Sequence, residues 1–410
     1  MFLLVWLPRS IVMDKVFELS WHPNSWTSYP FTHIPPYENM QRLYSCLQEI
    51  SNTTPLIDVD SINLLSQKLF KVWNREYFIL QAGDCAEKIS DHDEAIVVKK
   101  VSFLRELSDI IQDVYSPLLI GRIAGQYAKP RSTPYEVRSG NALPSYFGDL
   151  VNLPEYDSNV RKPDPQRLLL AYQAAQKVLH HIKKLNKESE IASYLFTSHE
   201  ALHLYYEGAL TRRSEKRWYN LSTHYPWLGM RTALHSLAHV EYFKGISNPI
   251  AIKIGPTMTV NILMRLIDKL NPENLPGKIA LIHRLGCDLI NQILPAWISY
   301  INQNKRNVIW VCDPMHGNTE LSPNGIKTRY VDKIQQEIIS AFDIHNSYDS
   351  FLNGIHLEVT PYDVTECIDN ELVCEKDLLS NYCSCIDPRL NPTQAKQIMQ
   401  LVKNKLLEVR

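Results

Sequence analysis

IAIKIGPTMTVNILMRLIDKLNPENLPGKIALIHRLGCDLINQILPAWISYINQNKRNVIWVCDP (residues 250–314) alternates two kinds of segment. Three short apolar, β-rich runs, IAIKIG (250–255), IALIHRLG (279–286) and VIWVCDP (308–314), each lead into polar residues. Between them lie longer helical patterns, TMTVNILMRLIDKL (257–270) and CDLINQILPAWISYI (287–301). Continuous apolar strands separated by helices predict parallel strands covered on both faces. Outward from this stretch the same grammar recurs in YFILQAG (77–83), PLLIGRIAG (117–125), ASYLFTS (192–198), HYPWLGM (224–230) and IHLEVT (355–360). Helices are expected at TRYVDKIQQEIISAF (328–342) and TQAKQIMQLVKNKLLEV (393–409). Eight strands with helical crossovers most simply close into a (β/α)8 TIM barrel, whose functional residues sit at the C-terminal ends of many strands. A doubly wound sheet would instead gather its polar groups at one switch point.

The barrel is expected over residues 71–410. Residues 1–70 read as an N-terminal arm and short helices packing on it, with Leu43, Leu47 and Ile50 on one helical face. The opening stretch MFLLVWLPRSIV has no basic leader, meets Pro8 early and is too short to span a membrane; either Met1 or Met13 serves as the start.

Of 410 residues, 45% are hydrophobic and 21% charged, which supplies a large core and excludes wholesale disorder. Forty-three Lys+Arg against 44 Asp+Glu give a net charge of −1, so no nucleic acid or anionic membrane is expected as a partner held by bulk charge. No G-x-G-x-x-G or Walker loop occurs. The eight cysteines read as reduced thiols of a cytoplasmic protein rather than a disulfide framework.

Two chemical groups collect at the predicted strand ends. The cations Arg122, Lys129, Arg131, Arg231, Lys253, Arg284, Lys327 and Arg329, pointed into one barrel mouth, would make a positive well suited to phosphate esters. Lys253 and Arg284 stand out, because apolar strand residues flank them and an unpaired buried cation is costly. The second group, Cys85, His316, Glu358 and Asp387, has no spacing motif. A barrel nonetheless brings strands one, seven and eight together, and a thiolate, imidazole and carboxylate set suits Mn2+, Fe2+, Co2+ or Zn2+. Cys367, Cys374, Cys383 and Cys385 form a rival zinc reading, with spacing that fits no usual ribbon. Ser198, His199 and Glu200 follow a strand, so His199 is expected to line the site. Cys85 with His199 or His316 could also imitate a thiol nucleophile and its base.

QAGDCAE (81–87), GRIAGQYAKPRS (121–132), LPSYFGDLVN (143–152), TSHEAL (197–202), NPIAIKIGP (248–256), IHRLG (282–286), DPMHGNT (313–319), GIHLEVT (354–360) and CIDPRLN (385–391) together resemble the class II 3-deoxy-D-arabino-heptulosonate 7-phosphate (DAHP) synthases, in order from about Ser25 to the C-terminus. The resemblance implies a (β/α)8 barrel and a divalent metal, Mn2+ or Co2+ before Fe2+ or Zn2+. It also implies condensation of phosphoenolpyruvate with erythrose 4-phosphate at the start of the shikimate pathway. Residue by residue, it makes Cys85, His316, Glu358 and Asp387 the metal ligands. Arg122, Lys129, Arg231, Lys253 and Arg284 become holders of phosphoenolpyruvate, Arg131 and Ser132 holders of the aldose phosphate, and Lys327 a further basic contributor. Lys253, Arg122 and Arg231 are the catalytic candidates, and a homodimer is the expected assembly.

Two departures qualify the likeness. WLGMRTALHSLAH (227–239) stands where the family reads W-x-G-E-R-T-R-Q-L-D-G-A-H, so Met230 replaces a Glu; Phe147 stands where an Arg is common. The chemistry is therefore expected to be retained, redirected to another aldose, or lost to a binding role. The short stretch from Asp149 to Thr197 resembles compact members serving secondary metabolism and predicts weak or no feedback by aromatic amino acids.

Overall fold

The computed structural model describes residues 21–138, 140–188, 194–369 and 371–409. The apolar opening stretch, Met13 and the first residues of the predicted third strand lie outside them. Eight parallel strands close a barrel: β1 (Tyr77–Gly83), β2 (Ser116–Arg122), β3 (Phe196–Glu200), β4 (Tyr225–Leu228), β5 (Ile250–Ile254), β6 (Ile279–His283), β7 (Ile309–Cys312) and β8 (Gly354–Glu358). Their order around the barrel is their order in sequence, and β8 pairs with β1, Gly83 opposite Glu358. Each predicted run overlaps one of these strands, most loosely at 192–198, whose strand runs from Phe196 to Glu200.

Side-chain alternation divides the core in two. Ile79, Leu118, Ile120, Phe196, Trp227, Ala251, Ile282 and Val311 fill the interior. Their strand neighbours Leu80, Leu119, Leu281 and Leu357 face outward onto the helices. The fill is solid, so function is confined to the rim where the strands end.

The expected late helices form as α8 (Val260–Leu270), α9 (Ile290–Gln303), α10 (Val331–Ser347) and α11 (Pro392–Glu408). Asn391 caps α11 by accepting from Gln394 N, with Pro392 just inside, a pairing that favours a helix start. Before the barrel lie α1 (Met40–Ser51) and α2 (Val59–Trp73), capped by Asn39 and Asp58. Leu43 and Ile50 are buried and Leu47 is partly so. Trp21 donates from its indole to Glu241 O at 2.9 Å, tying the arm to the helix after β4. No helix among the described residues is long and apolar enough to cross a membrane.

Candidate active site

Arg122 ends β2 facing inward, two residues after Ile120, and is 1% exposed. Its guanidinium donates to Asp84 O and Cys85 O at 3.0 Å each, to Glu358 Oε1 at 2.9 Å, and hydrogen-bonds His356 Nε2. Most of its five N–H groups are thus engaged by the protein, and it anchors the loop carrying Cys85 as well as the Glu358 carboxylate.

Glu358, at the end of β8, is the hub. Its Oε1 lies 3.2 Å from His316 Nε2 and 3.6 Å from Lys129 Nζ, and its Oε2 lies 2.8 Å from Arg329 Nη1. Burial would raise its pKa, but His316, Arg329, Lys129 and Arg122 hold it well below the usual range. Cys85 Sγ lies 3.6 Å from Asp387 Oδ2, and ligand atoms of Cys85, Glu358 and Asp387 all fall within 4.8 Å of one another. Burial, then the Glu358 charge, raises the Cys85 thiol to about 12 despite Lys129 and Arg122, so a thiolate here needs a further cation on the sulfur. Burial and Glu358 push Asp387 upward, but Lys129, Arg329 and Lys327 outweigh them and keep it ionised.

His316 meets this cluster because of the DPMHG turn. Asp313 Oδ1 accepts from Met315 N and His316 N at 3.1 and 3.2 Å, and its Oδ2 lies 2.8 Å from His316 Nδ1. A carboxylate on Nδ1 leaves Nε2 to face Glu358, an arrangement that suits a metal-binding imidazole. Cys85, Glu358 and Asp387 thus form one cluster that His316 joins through Glu358, and as donors a thiol, an imidazole and two carboxylates fit a divalent first-row ion.

Above the cluster opens a cavity of about 400 Å³. Arg122, Lys129, Arg131, Ser132, Arg231, Lys253, Arg284, His316, Lys327 and Asp387 all line it. Of the predicted metal donors and cations, Cys85, Glu358 and Arg329 do not: Glu358 and Arg329 are fully buried and paired with each other, and Cys85 borders a second cavity of about 660 Å³. Lys253 Nζ lies 2.9 Å from Asp313 Oδ2 and 5.4 Å from the Trp227 ring centroid. Burial outweighs Asp313 and lowers its pKa to about 8. Arg284 donates to His316 O at 2.6 Å, and burial lowers its pKa too. Arg231 reaches across the mouth to Pro130 O and Ser132 Oγ, while Arg131 pairs with Glu136 at 3.2 Å. Lys327 is ion-paired with Asp387.

The two substitutions differ in position. Met230 lines the cavity, its Sδ 3.5 Å from Arg284 Nη1. Phe147 instead borders a neighbouring groove with Tyr135, Pro144 and Pro163.

Strand alternation corrects one expectation. Ser198 faces into the barrel, donating to Gly121 O, and Glu200 lines the cavity; His199 between them points outward, 3.0 Å from Glu207 Oε1. It is therefore outside the site, as base or lining residue. None of the metal-competent groups among the described residues contains Cys367, Cys374, Cys383 or Cys385.

Several supporting residues escaped sequence reasoning. Trp227 paves the cavity floor beneath Lys253, and the Arg122 guanidinium lies 5.3 Å from its ring. Glu87 accepts from the N–H groups of Ala124, Gly125 and Gln126, holding the loop that leads to Lys129, with Ala124 at φ 66°. Arg389 joins Asp84 to Glu366 at 2.7 Å each, fixing the loop of Asp387. For Glu87 and Arg389 the signal was adjacency to Cys85 and Asp387 within GDCAE and CIDPRLN.

A profile described as the class-II DAHP synthetase family matches residues 21–194 and 185–403. The chain is 35% identical over 459 aligned positions to the phospho-2-dehydro-3-deoxyheptonate aldolase of Neurospora crassa, covering 95% of both chains. It is 33% identical to the enzyme of that name from Streptomyces coelicolor, over 92% of this chain and 96% of that one. It is 37% identical to a probable enzyme of that name from Pseudomonas fluorescens, over 88% and 92%. A solved structure of the Francisella tularensis aldolase matches in fold alone, with a TM-score of 0.57 at 15% identity over 89% of this chain and 97% of that one. Barrel and relatives together make this an enzyme, and the chain belongs to the class-II DAHP synthetase family.

Proposed function

We propose that the chain condenses phosphoenolpyruvate with erythrose 4-phosphate to give DAHP and inorganic phosphate, using a divalent metal ion held by Cys85, His316, Glu358 and Asp387. The carrying observation is that these four donors meet around Glu358 directly beneath a cavity walled by Lys129, Arg231, Lys253, Arg284 and Lys327. Mn2+ or Co2+ is the expected ion, with Fe2+ or Zn2+ next, and when bound it supplies Lewis acidity toward the aldehyde oxygen.

The cations overcome the repulsion between two phosphates and a carboxylate and orient them. Arg122, Lys129, Arg231, Lys253 and Arg284 hold phosphoenolpyruvate, Arg122 also bracing Glu358 and the Cys85 loop; Arg131 and Ser132 hold the aldose phosphate, and Lys327 braces Asp387. C3 of phosphoenolpyruvate bonds to the aldehyde carbon, whose oxygen takes a proton. Water then adds at C2, and the hemiketal phosphate loses inorganic phosphate. Lys253, with a pKa of about 8, can exchange its proton near neutral pH with that water or the product oxygen. The alignment with the Neurospora enzyme is longer than this chain, which supports a compact form; a place in secondary metabolism is read from the short Asp149–Thr197 stretch alone. A cytoplasmic homodimer fits this reading.

Met230 favours a second reading, a synthase that takes a different aldose, because a thioether stands against Arg284 where the family places a carboxylate. Anaerobic assay with added Mn2+ or Co2+ tests both readings by following loss of phosphoenolpyruvate with erythrose 4-phosphate and other aldoses. Turnover with erythrose 4-phosphate supports the first, and preference for another aldose supports the second. Silence of the metal-loaded protein with every aldose sinks both.

A further inference from the structure

His283 and Cys312 are paired neighbours at the ends of β6 and β7. Ile282 and Val311 fill the barrel interior, so His283 and Cys312 point the other way, toward α10. There they meet Glu337. One ligand atom from each of the three lies within 4.8 Å of the others, and all three residues are fully buried. Neither ring nitrogen of His283 has a hydrogen-bond partner. A neutral imidazole has one donor and one acceptor, and leaving both unmatched in a dry interior is costly.

Glu337 is held in a fixed pose. Its Oε1 accepts from Leu285 N and Gly286 N at 3.0 Å each, and its Oε2 accepts from Asn318 Nδ2 at 2.7 Å. Oε2 still has room for another partner. The His345 ring lies 6.0 Å from that of His283, centroid to centroid, and its Nε2 is also without a partner.

We propose that His283, Cys312 and Glu337 form a second metal site, outside the barrel and apart from the active-site donors, that binds a divalent first-row transition ion, Zn2+ above the others. The unmatched, fully buried His283 aimed at a thiol and an oriented carboxylate is the observation that carries it. Thiol, imidazole and carboxylate are the donors Zn2+ prefers, and a closed, buried site is structural rather than catalytic. His345 is the nearest further donor. Binding converts the Cys312 thiol to thiolate and releases its proton, along with any proton on Glu337. The ion would tie β6 and β7 to α10 directly behind Asp313.

The test uses the full chain carrying Cys85→Ser, so that no thiolate remains in the active site, produced in medium supplied with Co2+ because the second site is enclosed. Metal content is measured together with the near-ultraviolet thiolate-to-cobalt charge-transfer band. The expected result is that band, with the ion retained on brief chelator dialysis, and its loss on adding Cys312→Ser. Should Cys312→Ser fail to fold, His283→Ala keeps the thiol and is expected to lose the ion as well. Absence of the band in the Cys85→Ser protein overturns the proposal and leaves a dry or water-filled cluster; so does a band that survives Cys312→Ser or His283→Ala.

Discussion

Asp313 lies between Lys253 and His316, its Oδ2 2.9 Å from Lys253 Nζ and 2.8 Å from His316 Nδ1. Burial would raise its pKa, but the His316 and Lys253 charges keep it well below the ordinary carboxylate value. One carboxylate thus sets both the imidazole tautomer and the charge of the cavity lysine. Asp313→Asn keeps the shape and removes the charge. It is expected to weaken metal binding by about 10- to 100-fold, as loss of an outer partner of a ligating histidine typically does. Metal titration of the folded variant, checked by circular dichroism, measures this; unchanged affinity would detach His316 from the metal.

The proposed metal role of Cys85 rests on a buried thiol that burial and the Glu358 charge raise to about 12 even beside Lys129 and Arg122. Chelation is expected to abolish turnover and Mn2+ or Co2+ to restore it. In Cys85→Ser the metal concentration for half-maximal activity should rise by more than about 100-fold, beyond the effect of an outer-shell change. An active Cys85→Ser protein with wild-type metal content would remove this residue from the site.

The sequence carried the barrel because burial of both strand faces leaves a continuous apolar signature: each run from YFILQAG to IHLEVT overlaps a strand. The cations were legible for the same reason, since Lys253 within IAIKI and Arg284 after IALIH interrupt otherwise apolar strands. Cys85, His316, Glu358 and Asp387 could be gathered only by assuming that β8 closes on β1 or by the family resemblance, because no local spacing links them. Facing was harder to read. His199 and Ser198 are adjacent, and one residue of register decides which enters the barrel. Glu87, Asp84 and Arg389 act through backbone groups and each other, which leaves no mark in residue type.

Met230 is the sharpest departure inside the cavity. Its sulfur sits 3.5 Å from Arg284 Nη1 and fills the space a side chain on Gly255 would need. Met230→Glu sets a carboxylate against that guanidinium. The expected outcome is a rise in kcat of about tenfold, equivalent to ~1.4 kcal/mol of barrier. Steady-state kinetics with erythrose 4-phosphate decides it: a fall in kcat would mean that this cavity works with the thioether and another group handles the water.

Acid should loosen the fold before it silences the carboxylates. His203, His224 and His239 are fully buried and bonded as neutral rings: His203 to the Tyr37 hydroxyl at 2.8 Å, His224 accepting from Thr197 N at 3.0 Å, and His239 to Leu202 O at 2.8 Å. Burial lowers their pKa values to about 4, 3 and 4. An unfolded histidine takes its proton near pH 6.5, so between that pH and about 4 the unfolded chain binds more protons. Stability is therefore intact above about pH 6.5 and declines as pH falls, by about 1 to 2 kcal/mol per histidine at pH 5. Denaturant titrations at pH 7 and pH 5 should show the drop. In His224→Asn, whose amide oxygen can still accept from Thr197 N, the drop should shrink by one histidine's share. An equal drop in the variant would assign the acid sensitivity to other groups.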